Sequence, residues 1–360
     1  MDKLENARRI ISEADREIAE LFEKRMTAVR AVAEYKKERG LPVLDEEREA
    51  ALIERNSRYI SDSEIKEYYV NFHKYAMKVS RDFQHRLIEG AKIAYSGNIG
   101  AFAHTAAKAL FPDGIHVPCK DFDAAYLSVV NGDCDSAVLP IENSFAGDVG
   151  QVTDLLFSGS LYINNVVDLP VTQDLLAIEG ASLADIKKVV SHPQALDQSA
   201  KYIKAHGFEA VPYSNTALAA KYVKELGDKS VAAIASEEAA KYYGLEVLAS
   251  KINESDSNTT RFAVVSRVEN ENSACDDNHF IIMFTVKNEA GSLADAINVI
   301  GRYGYNMRSL RSRPMKTLMW QYYFFVEAEG NVRSDEGRAM MEELRGSCDK
   351  LKLVGSYKTK

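Results

Sequence analysis

The 360-residue sequence lacks any apolar run of the ~20 residues that a membrane-spanning helix needs. Its first six residues, Met1–Asn6, alternate in charge without the apolar core of a signal peptide, so we expect a cytoplasmic protein. Basic residues are not in excess, because 45 lysines and arginines stand against 53 aspartates and glutamates, for a formal net charge of −8. Nucleic acids and acidic membranes bind basic surfaces and are therefore not expected as partners.

Cysteine is scarce, and its four positions are Cys119, Cys134, Cys275 and Cys348. They form no CxxC pair and no histidine stands at ligand spacing, so neither a zinc site nor a disulfide framework is indicated. Glycine is missing where a dinucleotide would need it. The loop after the predicted strand Lys92–Tyr95 has only Gly97 and Gly100, not the full glycine fingerprint. The sequence therefore predicts no metal and no cofactor.

The length exceeds one ordinary core and indicates two or three domains of ~100–200 residues each. With 46% hydrophobic and 27% charged residues, the composition is that of a globular protein. Changes in pattern divide the chain into segments 1–90, 91–268 and 279–360. The polar stretch Glu269–Asn278 is the predicted linker between the last two.

Segment 1–90 is predicted to be all-helical. Apolar residues recur at three- and four-residue steps over 4–39 without glycine or proline, which predicts one long amphipathic helix. The break at 40–42 ends it, Asp45 is the expected N-cap of a second helix, and a third begins near residue 61 or 63 and runs towards Arg86. Three long helices in so short a segment make a poor monomeric core and suggest an intertwined dimer.

Several polar side chains of this segment share a helix face. Arg25 and Lys36 are 11 residues apart, so they lie roughly 20° apart around the helix. Arg8 is turned by about 100° from Arg25 and can join them only from another helix or another subunit. Ser80 and Gln84, one turn apart, place two neutral hydrogen-bonding groups on one side of the third helix.

Together with the acidic run Asp45–Glu49, these residues resemble the active-site pattern of the all-helical chorismate mutases. The resemblance implies the rearrangement of chorismate to prephenate, a pericyclic step that needs no acid, base or metal. It benefits from confinement and from donors aimed at the ether oxygen. The implied catalytic residues are Lys36 and Gln84, which meet the ether oxygen. The implied substrate-binding residues are Arg8 of the partner, Arg25, Asp45, Arg48, Glu49 and Ser80.

Segment 91–268 alternates predicted strands and helices. The strands are expected at 92–95, 136–139, 175–178, 188–190, 230–234 and 262–265. The helices are expected at 101–111, 123–130, 195–206, 216–226 and 236–243. Such alternation predicts a two-lobed α/β domain with a largely parallel sheet, whose strand-end loops carry the chemistry.

Three polar stretches stand at strand ends in this segment: Pro140–Ser144, Ser191–Gln194 with Gln198 one turn later, and Asn258–Phe262. The third stretch places the Thr260 hydroxyl and the Arg261 guanidinium at the start of a predicted strand. His192 alone is more often a helix-capping residue than a catalyst. Together the three stretches resemble the defining motifs of prephenate dehydratases.

The resemblance implies loss of carbon dioxide and a ring hydroxyl from prephenate to give phenylpyruvate. Thr260 is the implied donor to the departing hydroxyl, with Glu142 or an intervening water as the alternative proton source, because threonine does not titrate near neutrality. The implied substrate-binding residues are Asn143, Ser144, Ser191, Gln198 and Arg261.

Segment 279–360 is predicted to be an α+β module of order βαββαβ, the ferredoxin-like arrangement. Its strands are expected at 280–286, 307–311, 322–327 and 351–354, and its helices at 292–303 and 334–344. Two stretches, 288–293 and 312–314, resemble the ligand loops of ACT domains. The implied effector-binding residues, with phenylalanine as effector, are Asn288, Ala290, Gly291, Ser292, Leu293, Ser312, Arg313 and Pro314. One departure is Arg311, where these enzymes usually have glutamate, and a purely dimerising module is the alternative.

The combined interpretation is a bifunctional enzyme of phenylalanine synthesis that acts as a homodimer or higher oligomer. One alternative is a monofunctional prephenate or arogenate dehydratase whose helical segment is only a scaffold. Another is a non-catalytic sensor in which the α/β cleft captures an aromatic acid.

Overall fold

The protein is described by a computed structural model that covers residues 2–255, 258–269, 276–315 and 321–359. Cys275 and most of the predicted linker lie outside these residues. The chain forms two compact units, one up to Ala91 and one from Lys92 onwards. Within the covered ranges, no helix is long and apolar enough to cross a membrane, and no group of three or more His, Cys, Asp or Glu side chains could hold a metal ion.

The first unit is all-helical and contains α1 (Lys3–Arg39), α2 (Glu46–Ser57) and α3 (Lys66–Glu89), with α1 and α2 packed on α3. The predicted cap is confirmed, because the Asp45 side chain accepts a hydrogen bond from the Arg48 amide. The predicted start of the third helix near 61 or 63 is wrong. Asp62 accepts a hydrogen bond from the Glu64 amide at 2.8 Å, which closes a turn before the helix begins.

In the single chain, α1 leaves an apolar stripe exposed. Its members are Leu4, Ile10, Ile11, Ile18, Leu21 and Phe22. Only a small residue, Ala33, is buried on this helix. The exposed side chains follow helical spacing, so they form one face along most of the helix.

The second unit contains strands β1 (Lys92–Ser96), β2 (Ile115–Cys119), β3 (Ser136–Asn143), β4 (Gly147–Asp148), β5 (Tyr162–Pro170), β6 (Asp174–Ala177), β7 (Lys188–Ser191), β8 (Glu209–Pro212), β9 (Val231–Ala235), β10 (Glu246–Ala249), β11 (Thr259–Ser266), β12 (His279–Thr285), β13 (Asn306–Pro314), β14 (Tyr322–Glu329) and β15 (Lys350–Tyr357). Its helices are α4 (Phe102–Leu110), α5 (Phe122–Val130), α6 (Gly150–Ser158), α7 (Pro193–Gln198), α8 (Ala200–His206), α9 (Thr216–Leu226), α10 (Glu237–Tyr243), α11 (Ser292–Arg302) and α12 (Asp335–Ser347).

These strands form two sheets, which correspond to two lobes. The first has the order β13-β14-β12-β15-β5-β11-β3-β1-β2, with β4 paired to β3, and the second has the order β10-β6-β9-β7-β8. The predicted largely parallel sheet is confirmed only in part. β1 runs parallel to β2 and β3, and β7 runs parallel to β8 and β9. However, β11 runs antiparallel to both β3 and β5, and β6 runs antiparallel to both β9 and β10. The reason is the chain path. The chain leaves the first lobe after β5, builds the second lobe and returns as β11.

The two lobes meet at the glycine loop before α4. Ser236 donates a hydrogen bond to the Gly100 carbonyl at 2.9 Å, and Tyr243 donates to the Ile99 carbonyl at 3.1 Å. Gly100 has a positive φ of 88°, and a Cβ built there would lie 3.1 Å from the Ala239 Cα. The loop that lacks the dinucleotide fingerprint therefore packs against α10 of the second lobe.

The C-terminal elements follow the predicted order, β12-α11-β13-β14-α12-β15, but they continue the first sheet instead of standing apart. β15 runs parallel to β5, with Gly355 opposite Ile163. A Cβ at Gly355 would lie 1.9 Å from the Ile163 carbonyl oxygen, so only glycine permits this approach. Behind the sheet, Met283 and Tyr323 share one hydrophobic core with Leu156 of α6.

Candidate active sites

A cavity of about 180 Å³ in the helical unit gathers side chains from α1, α2, α3 and the turn between α1 and α2. Its lining includes Arg25, Lys36, Asp45, Arg48, Glu49, Arg81, Ser80 and Gln84. The predicted mutase residues other than Arg8 therefore meet at one place. Arg8 stands 17 residues before Arg25, or about 25 Å along the same helix. It is not among the residues that line the cavity.

The polar groups of this cavity are held in place by the surrounding backbone. Arg25 donates to the Ala76 carbonyl at 3.1 Å and to the Ser80 hydroxyl, and Lys36 donates to the Val43 carbonyl at 2.6 Å. Burial lowers the pKa of the Arg25 guanidinium from its ordinary value. Gln84 donates through Nε2 to the Ser80 carbonyl at 3.2 Å, while its buried Oε1 has no hydrogen-bond partner among the described residues. A preorganised, positively charged pocket of this kind suits a dicarboxylate.

Sequence reasoning missed Arg81 of α3, whose guanidinium contacts the Glu49 carboxylate of α2. Both side chains are about one-quarter exposed, at 26% and 25%. Arg81 lies one residue after Ser80, and this adjacency was the available signal. Arg81 thus holds the carboxylate of Glu49, one of the substrate-binding residues that the resemblance implies.

The candidate dehydratase site is built where β3 ends and β11 begins. In the antiparallel register, Thr260 stands opposite Asn143 and Arg261 opposite Glu142. Asn143 and Thr260 are each 9% exposed. The Thr259 amide also donates to the Ser144 hydroxyl at 3.0 Å. The register thus joins two motifs that are more than one hundred residues apart in the chain.

The Asn143 amide has a fixed orientation. Its Oδ1 accepts hydrogen bonds from the Phe145 and Ala146 amides at 3.0 and 2.9 Å, so its Nδ2 must face the other way and donate. Nδ2 reaches Thr260 Oγ1 at 2.9 Å and Asn258 Oδ1 at 3.0 Å. Because the Thr260 oxygen accepts this bond, its own hydroxyl proton remains to be donated to another group.

Glu142 and Arg261 are held by ion pairs to the C-terminal strands. The Glu142 carboxylate lies 2.5 Å from Arg311 and 3.6 Å from Arg261. Arg261 makes two hydrogen bonds to Glu327, at 2.6 and 2.8 Å, and Glu327 is fully buried. The hydrogen bonds to Glu327 raise the pKa of Arg261. The guanidinium predicted to bind substrate is therefore engaged within the fold, and a cavity of about 350 Å³ beside it is lined by these same charged groups.

The second-lobe motif lies at the end of β7 and the start of α7. Ser191 is fully buried and donates to the Ile234 carbonyl at 2.5 Å, so its hydroxyl is used inside the lobe. His192 caps α7 by accepting a hydrogen bond from the Gln194 amide, which confirms its structural interpretation. Gln198 is buried, and its side-chain oxygen Oε1 accepts a hydrogen bond from Nε2 of Gln173 at 3.5 Å.

Two backbone hydrogen bonds hold the chain segments that run between the two lobes. The Glu254 amide donates to the Gln198 carbonyl at 2.8 Å, and the Val171 amide donates to the Asn258 carbonyl at 2.8 Å. Gln173 was missed by sequence reasoning. Its Oε1 and the Nδ2 of Asn258 are buried without a hydrogen-bond partner in the covered ranges, which marks both as groups that a ligand could satisfy.

The two stretches predicted as effector loops differ in structure. Residues 288–291 form the turn between β12 and α11, while Ser292 and Leu293 open the helix and Gly291 has a φ of 90°. The stretch 312–314 is not a loop, because it pairs with β14 as the last part of β13. Arg313 makes two contacts with Asp154, at 3.0 and 3.2 Å, and this anchors the strand end to α6.

Comparison with known proteins assigns a family. The prephenate dehydratase family profile matches residues 93–270, and the chorismate mutase type II profile matches residues 7–85. The bifunctional chorismate mutase/prephenate dehydratase of Neisseria gonorrhoeae is 32% identical, over 98% of this chain and 96% of its own length. The chain belongs to the bifunctional chorismate mutase/prephenate dehydratase family. The resemblance recognised from the sequence motifs is thereby confirmed.

Two further similarities each cover about three-quarters of this family member. The arogenate dehydratase/prephenate dehydratase 1 of Arabidopsis thaliana is 32% identical, over 74% of this chain and 71% of its own. The structure of a prephenate dehydratase from Arthrobacter aurescens in complex with L-Phe is 27% identical, with a TM-score of 0.69, over 74% of this chain and 90% of its own.

Proposed function

We propose that the chain converts chorismate to prephenate in its helical unit, and prephenate to phenylpyruvate in the unit that follows. The observation that carries the first activity is the cavity in which Arg25, Lys36, Glu49 and Gln84 converge. It also argues against the scaffold alternative, since a helical spacer has no need of converging cations. Both family profiles support the two-reaction assignment.

In the mutase site, the protein has only to bind one compact conformer and stabilise charge on the ether oxygen as its bond breaks. Lys36 and Gln84 are the proposed donors to that oxygen, with Arg25 binding a carboxylate of the substrate. Arg8 of a second copy of the chain would bind the other carboxylate. The exposed apolar face of α1 supports such a dimer, because a second helix would cover it.

In the dehydratase site, the ring hydroxyl must leave as the carboxylate is lost. We assign the donor role to Thr260, whose oxygen accepts from Asn143 Nδ2 and whose proton is therefore directed elsewhere. Glu142 is the less suitable donor, because its carboxylate is already paired with the guanidiniums of Arg261 and Arg311. Ser144 and Gln198 remain proposed positioning groups around the substrate. Ser191 already donates its hydroxyl to the Ile234 carbonyl, so its proposed role is to position the loop at the end of β7.

We further propose that the C-terminal elements are an ACT module and that phenylalanine is its effector. The βαββαβ order and the glycine turn at Gly291 support the module, and the L-Phe complex of the Arthrobacter aurescens enzyme supports the effector. Arogenate is a second candidate substrate of the dehydratase site, because the Arabidopsis thaliana relative is named for both substrates.

The test is one assay of the purified full chain and its Thr260→Ala variant with chorismate, following prephenate and phenylpyruvate. The wild type should form both in succession, and added phenylalanine should slow the second step. Loss of one donor should lower phenylpyruvate formation by roughly 10²–10³-fold in the variant. Prephenate should then accumulate at the wild-type rate.

Thr260→Ser is the matched control, because it keeps the hydroxyl and should keep most of the turnover. Equal turnover of Thr260→Ala and wild type would refute the assignment of Thr260. Offering arogenate in place of prephenate to the wild type compares the two substrates directly through their kcat/KM.

A further inference from the structure

Two carboxylates that face each other across a hairpin at the candidate dehydratase site both contact the guanidinium of Arg311. Glu142 on β3 and Asp148 on β4 are cross-strand partners in the hairpin that carries Asn143 and Ser144. Like charges directly opposite one another destabilise a strand pair. Arg311 of β13 lies between them, 2.5 Å from Glu142 and 3.0 Å from Asp148. Its side chain is 18% exposed, so solvent screens these contacts only in part.

A second pair holds the opposite strand. Arg261 follows Thr260 on β11 and is bound by both oxygens of Glu327 on β14. Tyr357 of β15 donates to the same carboxylate at 2.6 Å. Burial alone would raise the pKa of Glu327, but the hydrogen bonds from Arg261 and Tyr357 outweigh it and lower the pKa. The residue next to the proposed proton donor is therefore fixed by a buried anion from the C-terminal strands.

We propose that Arg311 and Glu327 are positioning residues of the dehydratase site, so that the C-terminal strands complete the site as well as carrying a regulatory module. Arg311 holds Glu142, the neighbour of Asn143, and Glu327 holds Arg261, the neighbour of Thr260. The inference rests on the assignment of Asn143 and Thr260 to the site. Since the 2.9 Å bond between those two residues orients the hydroxyl, a shift of either strand misdirects the proton.

The positive charge at position 311 is what holds the two carboxylates together. In this chain a glutamate there would add a third carboxylate beside Glu142 and Asp148 and would weaken the hairpin through like-charge repulsion. A lysine could contact only one of the two carboxylates well, because it is a single point charge and lacks the two-armed guanidinium. The expected order of dehydratase turnover is therefore arginine, then lysine, then glutamine, then glutamate.

The experiment measures kcat and KM for prephenate in Arg311→Lys, Arg311→Gln and Arg311→Glu. Arg311→Gln should lower kcat by roughly 10- to 100-fold, as expected for a displaced catalytic group, with a smaller change in KM. Arg308→Gln is the matched control, because Arg308 lies on β13 and lines the same cavity, yet it contacts His279 and Glu329 instead. It should leave kcat near the wild-type value.

Mutase turnover, measured on the same samples, reports whether each variant is folded and active in its other unit. The inference is overturned if Arg311→Gln keeps the wild-type kcat, or if Arg308→Gln loses as much as Arg311→Gln. It is also overturned if lysine restores nothing relative to glutamine. Thr260→Ala separates the two proposals: if that variant loses turnover while Arg311→Gln does not, the site assignment survives and the positioning role fails.

Discussion

Replacing Glu327 by glutamine should destabilise the second unit strongly. The substitution keeps the volume but removes the charge that binds Arg261 through two hydrogen bonds, at 2.6 and 2.8 Å. Breaking a buried pair from one side costs about 3–5 kcal/mol. Arg261 keeps weaker contacts with Asp168 at 3.3 Å and Glu142 at 3.6 Å, so we expect the lower end of this range, about 3 kcal/mol.

Thermal unfolding gives the measurement. For a unit of this size, about 3 kcal/mol corresponds to a fall in Tm of roughly 6–12 °C. Phenylpyruvate formation after heating follows the second unit, and prephenate formation follows the helical unit as an internal reference. Glu329→Gln is the control on the same strand, because its pair with Arg308 at 3.7 Å is exposed and contributes about 0–1 kcal/mol. Equal Tm values for Glu327→Gln and Glu329→Gln would refute the reasoning.

The same variant should change the acid dependence of stability. The pKa of Glu327 is lowered in the folded protein from an ordinary value of 4.5, so folding favours its charged form. The stabilisation is therefore complete above pH 4.5 and is lost as the pH falls below that value towards the folded pKa. Glu327→Gln cannot titrate there and should show a shallower loss of stability between neutral and acid pH. If stability fell with pH equally steeply in Glu327→Gln and wild type, the lowered pKa of Glu327 would not be the cause of the acid dependence.

Two further substitutions test other contacts. Gly100→Ala should weaken the contact between the lobes and lower both Tm and dehydratase turnover, because its Cβ would lie 3.1 Å from the Ala239 Cα. Gly97→Ala is the control, because Gly97 also has a positive φ, of 96°, but its nearest atom would be 3.7 Å away. It has the backbone strain without the clash and should lower Tm and turnover less. Arg81→Gln should lower mutase kcat/KM roughly fivefold, the equivalent of about 1 kcal/mol, by freeing Glu49. Dehydratase turnover is its control, and an unchanged mutase rate would show that the Arg81 contact is not used.

The helical site could be predicted well from the sequence because its geometry is local. A fixed helical repeat brings Arg25 and Lys36 to one face, and one capping residue, Asp45, sets where the next helix starts. The same geometry showed that Arg8 belongs to a different face. Arg81 escaped because its importance depends on Glu49, which another helix supplies. Side-chain pairing between helices has no periodic signal in the sequence.

The dehydratase lobe was harder to predict for a physical reason. Its key strand, β5, is interrupted by Asn164, Asn165 and Asp168, so its hydrophobic pattern is weak, yet it joins β11 to β15. Its apolar residues find their partners only after distant segments have folded. The sequence marked Arg311 as a reversal of charge, but Glu142 and Asp148 could be recognised as its partners only from the tertiary structure.

The continuity of the first sheet determines how the proposed regulation by phenylalanine can be tested. Removing the chain from residue 279 onwards would delete the partners of Glu142 and Arg261 and would expose the edge of β5 to solvent or to another chain. A truncated protein could therefore lose dehydratase turnover because its site is incomplete, whatever the effector does. Point substitutions in the turn at 288–291 leave the ion pairs of Arg311 and Glu327 in place. They are the changes that can separate loss of the proposed phenylalanine response from loss of catalysis.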